Sequence, residues 1–588
     1  MGFSLRLADL ADGVCLADLA DDVAEMTEGQ RLHALFELCW EHEMEEFPEL
    51  ATATGWPGHD HRWTDRSDAA VARRSQERQE VLKALDGFDT SALDNSDSLS
   101  LDLFRRNQEL AGAGERFRPE RLPISKMAGP HLDLPRTISL MPGRTLGGLE
   151  DVVARLSGVT TYVDQVITWL DEGRAEGVTP CRVTIDDVPD QLDVLAGATV
   201  DSTPLLAAFR ARPEAVEEPD LRELRAEAQA AFREVAVPAL RRLRRHLSET
   251  YLPACREAVS WTALPDGEAW YAHLVAAFTT TSLTPAEIHE IGLAECDRIR
   301  GQMDEVIAAT GHRGPFAAFA EQLRTEARFY FTDPEALLAA YRDIAKRVDP
   351  GLPSLFSTLP RLPYGVRPVP DHEAPSTTTA YYVRGSLPAG RPGWFYANTF
   401  DLASRPRWEM EALTLHEAVP GHHLQIALAA ELEGLPRFRT MSYGCTAYVE
   451  GWGLYAESLG EELGLFTDPY SRFGQLSYEM WRAVRLVVDT GIHSLGWSRQ
   501  QAIDFFVERS GKPLHDITVE IDRYIAWPAQ ALAYKLGELT ISRLRREATE
   551  RLGGAFDLRR FHDVVLGAGA LPLDVLESRV RAWVEGLG

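Results

Sequence analysis

A mainly α fold is what this sequence predicts, and three observations carry the prediction. Apolar residues recur at three- and four-residue spacing through most of the 588 positions. Proline and glycine gather in a few segments between those stretches. Strand-like content is confined to one short region, 379–398. Hydrophobic residues make up 45% and charged residues 26% of the chain, ordinary soluble usage.

Taken in order, residues 17–50 carry helical spacing with many acids. Ala51 to Ser67 reads as a polar loop around Gly55, Pro57 and Gly58. Its His59-Asp60-His61 has metal-ligand chemistry, but a solvent-exposed loop is the preferred reading. Residues 68–116 and 146–175 read as helices, and the proline-rich span from Arg118 to Gly143 as an extended crossing. Asp220 to Thr250 is mostly helical with a kink or break expected at Pro238, which has no N–H to donate. Its Arg241, Arg242, Arg244 and Arg245 are expected to balance nearby acids. Thr284-Pro285-Ala286-Glu287 is a helix start: Thr284 caps, Pro285 suits the first turn and Glu287 closes a capping box. That helix runs to about Thr310. A further helix spans Pro334 to Arg347, followed by a proline-rich loop from Asp349 to Pro375. Thr379–Val383 and Gly393–Asn398, separated by turn residues, predict a hairpin.

The chemistry gathers after that hairpin. Leu413-Thr-Leu-His416-Glu417-Ala-Val-Pro420-Gly421-His422-His423-Leu-Gln425 puts three imidazoles and a carboxylate within eight positions. Neutral imidazole is a preferred zinc ligand, and a Glu beside a ligating His can act as a base. The pattern is that of a helix-borne His-Glu-x-x-His site with extra residues between the histidines. An ideal helix puts His422 on the far side from His416, and His423 about two turns away. Pro420 cannot donate the next helical bond, and Gly421 tolerates unusual dihedrals. A local unwinding at this pair would swing one imidazole, His422 or His423, back toward His416. The plainer alternative is that Pro-Gly ends one helix and the histidines form a polar turn.

A further ligand is available downstream. In Tyr448-Val-Glu450-Gly-Trp452-Gly-Leu-Tyr455-Ala-Glu457-Ser-Leu-Gly-Glu461, a helix places Glu450, Leu454, Glu457 and Glu461 near one stripe. Tyr448, Trp452 and Tyr455 make the segment bulky and buried, and a buried carboxylate needs a partner. A His, His, Glu set leaves a fourth position open, the mark of a catalytic site. Cys445 is the only nearby thiol, and its use as a ligand would point to a structural ion instead.

These motifs resemble domain-of-unknown-function family 885. The resemblance extends through Arg485-Leu-Val-Val-Asp489-Thr-Gly491-Ile-His493 and Arg523-Tyr524-x-x-x-Pro528-x-Gln530-x-x-x-Tyr534-Lys535-x-Gly537, and upstream through Leu264-Pro-Asp-Gly267 and Gly393-Trp-Phe-Tyr-Ala-Asn398. More distantly it is similar to helical gluzincin peptidases such as thimet oligopeptidase, angiotensin-converting enzyme and carboxypeptidase Taq. That resemblance implies a deep cleft, a small sheet beside the zinc helix whose edge can pair with a peptide, and a third ligand Glu where Glu450 stands. The longer His-to-His spacing departs from those peptidases.

The resulting expectation is a zinc-dependent metallohydrolase holding one Zn2+ through His416, His422 and Glu450, with His423 as the alternative to His422. Glu417 is the expected general base. Tyr534 is the first candidate donor to the developing oxyanion, followed by Tyr524 and His493. Glu457 is expected to orient a ligand His. Gln530 shares the segment of Tyr534, and Arg523 and Lys535 are candidates for a substrate carboxylate. Each has a plainer alternative, a core aromatic for Tyr534 and a helical ion pair for Arg485–Asp489 among them. The expected substrate is a short peptide. Another amide in a specialised small molecule is the alternative, as is a non-catalytic helical binding protein with a vestigial metal motif. Residues 1–250 are expected to form one wall of the cleft and 251–588 the catalytic part, in one continuous unit.

Composition narrows the partners. Lys and Arg number 61 against 89 Asp and Glu, a formal net charge of -28. Such acidity disfavours nonspecific nucleic-acid and anionic-membrane partners. Six scattered cysteines without a close pair suggest reduced thiols in the cytoplasm. The first residues carry acids where a signal peptide has an apolar core.

Overall fold

A computed structural model describes residues 26–141, 143–371, 373–376 and 378–587. Helices dominate, with one small sheet, so the chain is mainly α. The start of the expected helix over 17–50 lies outside the described residues, as does Cys15; the rest forms Glu28–Glu46 behind a Thr27/Gln30 capping box. No helix among the described residues is long and apolar enough to cross a membrane.

The chain divides into two compact units. The first comprises Met1–Ala258, Ala263–Asp266 and Leu435–Ser442, and the second Val259–Thr262, Gly267–Gly434 and Tyr443–Gly588. In the first, the helices Leu146–Ser157 and Val159–Glu176 bury Leu149, Val152, Leu156, Val163 and Leu170 in one core. At Pro238 the helical run does not break: a π-helical turn, Phe232–Ala236, precedes the proline in an otherwise continuous run.

Two expectations for this unit need correcting. The span Arg118–Gly143 is not a purely extended crossing, because it contains the helix Pro130–Leu140. Pro130 occupies its first turn, where the missing N–H costs nothing, and Leu134 and Ile138, four apart, anchor it in the core. The loop expected from Ala51 begins later, since Pro48–Thr54 is a helix closed by Gly55 in the left-handed region. In that loop Asp60 accepts from the Thr52 hydroxyl, and His59 Nδ1 meets Arg62 Nη2 at 3.0 Å. No metal-ligand cluster forms here among the described residues, although Asp60 is buried rather than solvent-exposed.

The second unit carries the sheet and seven helices that matter below. Helix α1 (Pro285–Ala309) begins with the expected Thr284/Glu287 capping box. The sheet has the order β1-β3-β2, with β1 Tyr364–Pro368, β2 Ala380–Val383 and β3 Gly393–Ala397. Strands β2 and β3 are the expected hairpin, paired Tyr382↔Phe395. Strand β1 pairs parallel to β3 and was hidden in a stretch flanked by Pro363 and Pro368. Then follow α2 (Met410–Glu417), α3 (His422–Ala430), α4 (Thr446–Ser458), α5 (Pro469–His493), α6 (Leu514–Ala526) and α7 (Ala533–Leu552). Helix α5 is buried along most of its length. Helices α4 and α7 cross at Gly451 and Gly537, where an added Cβ on Gly537 would overlap the Ala447 carbonyl oxygen. Only glycine lets the two backbones touch there.

Candidate metal centre

The site begins with a break in a helix. Helix α2 ends at Glu417, α3 restarts at His422, and the four residues between them turn sharply. Ala418 has φ -102° and ψ -114°, and Gly421 φ -77° and ψ -128°. Gly421 packs so tightly onto the last turn of α2 that a Cβ would overlap the carbonyl oxygens of Leu415 and His416. The Trp452 indole N–H donates to the Pro420 carbonyl at 2.8 Å and ties the bend to α4. His422 is thereby carried back beside His416, with ring centres 4.6 Å apart.

Three ligand-type atoms converge. One atom from each of His416, His422 and Glu450 lies within 4.8 Å of the other two. Glu450 Oε2 is 3.6 Å from His416 Nε2 and 3.3 Å from His422 Nε2. Tetrahedral bonds of about 2.0–2.1 Å put ligand atoms roughly 3.3 Å apart, so the set fits a zinc-sized ion. Glu450 Oε2 is buried yet has no hydrogen-bond partner, which leaves a lone pair for a cation. The donor set, two imidazoles and one carboxylate, is that of an ion with an open position.

Electrostatics point the same way. Burial by itself would depress His416, but Glu450 and Glu457 outweigh it and hold its pKa up at about 9. Burial would raise Glu450, but the two imidazoles hold it well below the ordinary carboxylate range. The pocket of charge therefore demands a cation, proton or metal. Glu457, fully buried, accepts from His416 Nδ1 at 2.8 Å and so turns Nε2 toward the cluster. Arg482, not singled out in the sequence, lies 3.4 Å from the same oxygen. Two arginines, Arg482 and Arg485, in the apolar run of α5 were the available signal. Gly453 clears room for the His416 ring, since a Cβ there would come within 2.8 Å of it.

Glu417, adjacent to His416, is 8% exposed and has no hydrogen-bond partner among the described residues. His423 turns away from the cluster toward the sheet. Its Nδ1 meets the Tyr382 hydroxyl at 2.9 Å, its ring lies 4.5 Å from that of Tyr364, and burial lowers its pKa to about 4. Tyr534 joins the site, its ring within 16° of parallel to that of His416 at 6.5 Å. Burial, aided by the charge of Glu450, raises its pKa.

The other candidates are placed differently. His493 accepts from the Trp261 N–H at 3.2 Å and donates to the Tyr524 carbonyl at 3.0 Å, so both ring nitrogens serve the backbone. The Tyr524 hydroxyl donates to Glu520. Arg523 is engaged by both Glu520 oxygens and by Gln530 Oε1. Lys535 is fully buried among Glu295, Glu479 and Glu538. Neither cation is left over for a substrate carboxylate. Pro528 leads into a 3-10 turn, Gln530–Leu532, and α7 with Tyr534 starts just after it. Cys445 lies outside the cluster, with Sγ 4.0 Å from the Thr280 hydroxyl.

A mainly helical chain with two imidazoles and a carboxylate gathered at a broken helix is thus the class that fold and site define. The chain belongs to the family of bacterial proteins of unknown function called DUF885, whose model matches residues 48–580. Among solved structures it is similar to a candidate lipoprotein from Colwellia psychrerythraea, with 28% identity and a TM-score of 0.91 over 95% of this chain and 100% of that one. It shares its fold with a candidate lipoprotein of unknown function from Shewanella oneidensis, at 17% identity and a TM-score of 0.69 over 94% of this chain and 99% of that one. No curated protein matches the chain.

Proposed function

We propose that this chain is a zinc-dependent hydrolase of gluzincin type that cleaves an amide bond, in the first place the peptide bond of a short peptide. The observation that carries the reading is the convergence of His416, His422 and Glu450, with the buried Glu417 next to His416 in sequence. Bound there, zinc supplies a Lewis acid that polarises a carbonyl and acidifies water. Glu417 takes the proton from the attacking water and hands it to the leaving amine. Glu457 keeps His416 in the tautomer that presents Nε2. The Tyr534 hydroxyl donates to the carbonyl oxygen as negative charge builds on it. The small sheet, which holds His423 through Tyr382, offers strand edges for an extended substrate. An amide in a specialised small molecule would use the same groups. We place no nucleic acid or membrane among the partners, given the net charge of -28.

For location, the five described cysteines are free thiols, which supports the cytoplasm. The description of both solved relatives as candidate lipoproteins supports a site outside it. Fractionation of the native cells decides between them.

Glu417→Gln is the test of the reaction. The variant is expected to keep its zinc and lose about 10²–10⁴-fold in cleavage of a peptide library. Unchanged cleavage would remove Glu417 as the base. A wild-type protein with neither zinc nor cleavage would leave a helical binding protein as the better account.

A further inference from the structure

The segment that delivers Tyr534 to the site is gripped from one face of α5. Arg485, Asp489 and His493 stand four apart on that helix, and each reaches the chain between residues 520 and 534. Arg485 Nε donates to the Tyr524 hydroxyl at 2.9 Å, and Nη2 donates to Glu520 Oε2 at 3.1 Å. Asp489 accepts the Ala529 N–H with both oxygens at 3.1 Å, and the Tyr271 hydroxyl at 2.7 Å. His493 holds the Tyr524 carbonyl. Ala529 sits at φ 66°, a conformation costly for a residue with a Cβ, and the Asp489 carboxylate helps to hold it there. Past that turn, Gln530 accepts from Arg523 at 2.8 Å and its Nε2 lies 3.5 Å from the Tyr534 hydroxyl.

Within this grip Glu520 does not depend on Arg485 for a counter-charge. Arg523 already engages both oxygens of that carboxylate, at 3.2 and 3.1 Å. Two buried guanidinium groups thus share one carboxylate, and a positive charge is left over. Arg485 Nη1 is buried with no hydrogen-bond acceptor. Such a group is costly to bury unless something compensates it. What Arg485 does meet is the face of Tyr534, its guanidinium carbon 4.3 Å from the ring centre.

We propose that Arg485 is the positioning residue for Tyr534. Its flat cation, fixed by Glu520 and Tyr524, holds the phenol ring near parallel to His416, so that the hydroxyl keeps its place at the metal centre. The inference rests on the hydrolase reading above and extends it to a residue that does not touch the substrate.

The test is a double-mutant cycle read by binding rather than turnover. Wild type, Arg485→Lys, Tyr534→Phe and the double variant, all zinc-loaded full chains, are titrated calorimetrically with a phosphinic dipeptide. That probe carries a tetrahedral, charged centre in place of the scissile amide. A plain dipeptide product serves as control. Arg485→Lys is expected to weaken the phosphinic probe about tenfold. It should leave the product and zinc affinities unchanged, and cause no further loss once Tyr534 is Phe. An equal loss in the Tyr534→Phe background, or equal weakening of probe and product, overturns the proposal while the hydrolase reading stands. Wild-type protein that binds zinc but no probe ends both. Arg485→Gln runs the same cycle if the lysine variant does not fold.

Discussion

Glu457 is where the orientation of His416 is decided. The carboxylate is fully buried, accepts from Nδ1, and leaves Nε2 as the nitrogen available to an ion. Glu457→Gln keeps the shape but weakens this demand for an Nδ1 proton. Zinc affinity should fall about 10–100-fold; competition against a chromogenic chelator measures it on the folded protein. Equal affinity in both proteins would mean that the ring needs no such partner. At this scale much of the site was legible. His416, Glu417, His422, Glu450 and Glu457 all stood out from ligand chemistry and spacing. The choice of His422 over His423 was not legible, because it depends on the dihedrals of Ala418 and Gly421 rather than on residue type. The commitment of His493 and Lys535 to Tyr524, Glu295 and Glu479 was equally hidden, since those partners reach them only through tertiary packing; Glu520, three residues before Arg523 on one helix, was the local signal that Arg523 is paired.

Among the elements, the crossing of α4 and α7 does the most to bring Glu450 and Tyr534 together. Gly451 and Gly537 meet there backbone to backbone. Gly537→Ala should therefore destabilise the protein by about 1–3 kcal/mol or more, as overpacking does, despite the better helix propensity of alanine. A lowered denaturant midpoint at unchanged slope would register it; an unchanged or raised midpoint would mean that the helices separate at no cost. Helix starts were legible because capping is local: Thr284 with Glu287 announced α1 before any packing was known. The helix Pro130–Leu140 was missed because four prolines from 119 to 135 outweighed the Leu134–Ile138 pair in a local reading. Strand β1 was missed for a related reason. Its partner β3 lies 29 positions away, from Tyr364 to Gly393, and a parallel pairing leaves no turn signal between the two.

For the molecule as a whole, the stability of the second unit should carry the titration of Asp489. Burial is the main reason that its pKa is raised to about 7, with the Tyr271 and Ala529 hydrogen bonds opposing it. An unfolded aspartate titrates near about 3.9. The folded state then binds the extra proton between those values, so this contribution to stability is complete below about pH 4 and is lost as pH rises to about 7. Asp489→Asn should flatten that part of the curve, as read by chemical denaturation across the window. An unaltered pH profile would show that the group ionises as freely folded as unfolded. Fold class was legible at this scale because helical periodicity repeats along the whole chain.

The most direct test of the account is a zinc titration of metal-free protein by calorimetry, with His416→Ala, His422→Ala, Glu450→Ala and His423→Ala alongside. One ion per chain should bind to the wild type and to His423→Ala, and each of the other three variants should lose it. No stoichiometric ion in the wild type, or loss of the ion in His423→Ala with retention in His422→Ala, would contradict the centre described above.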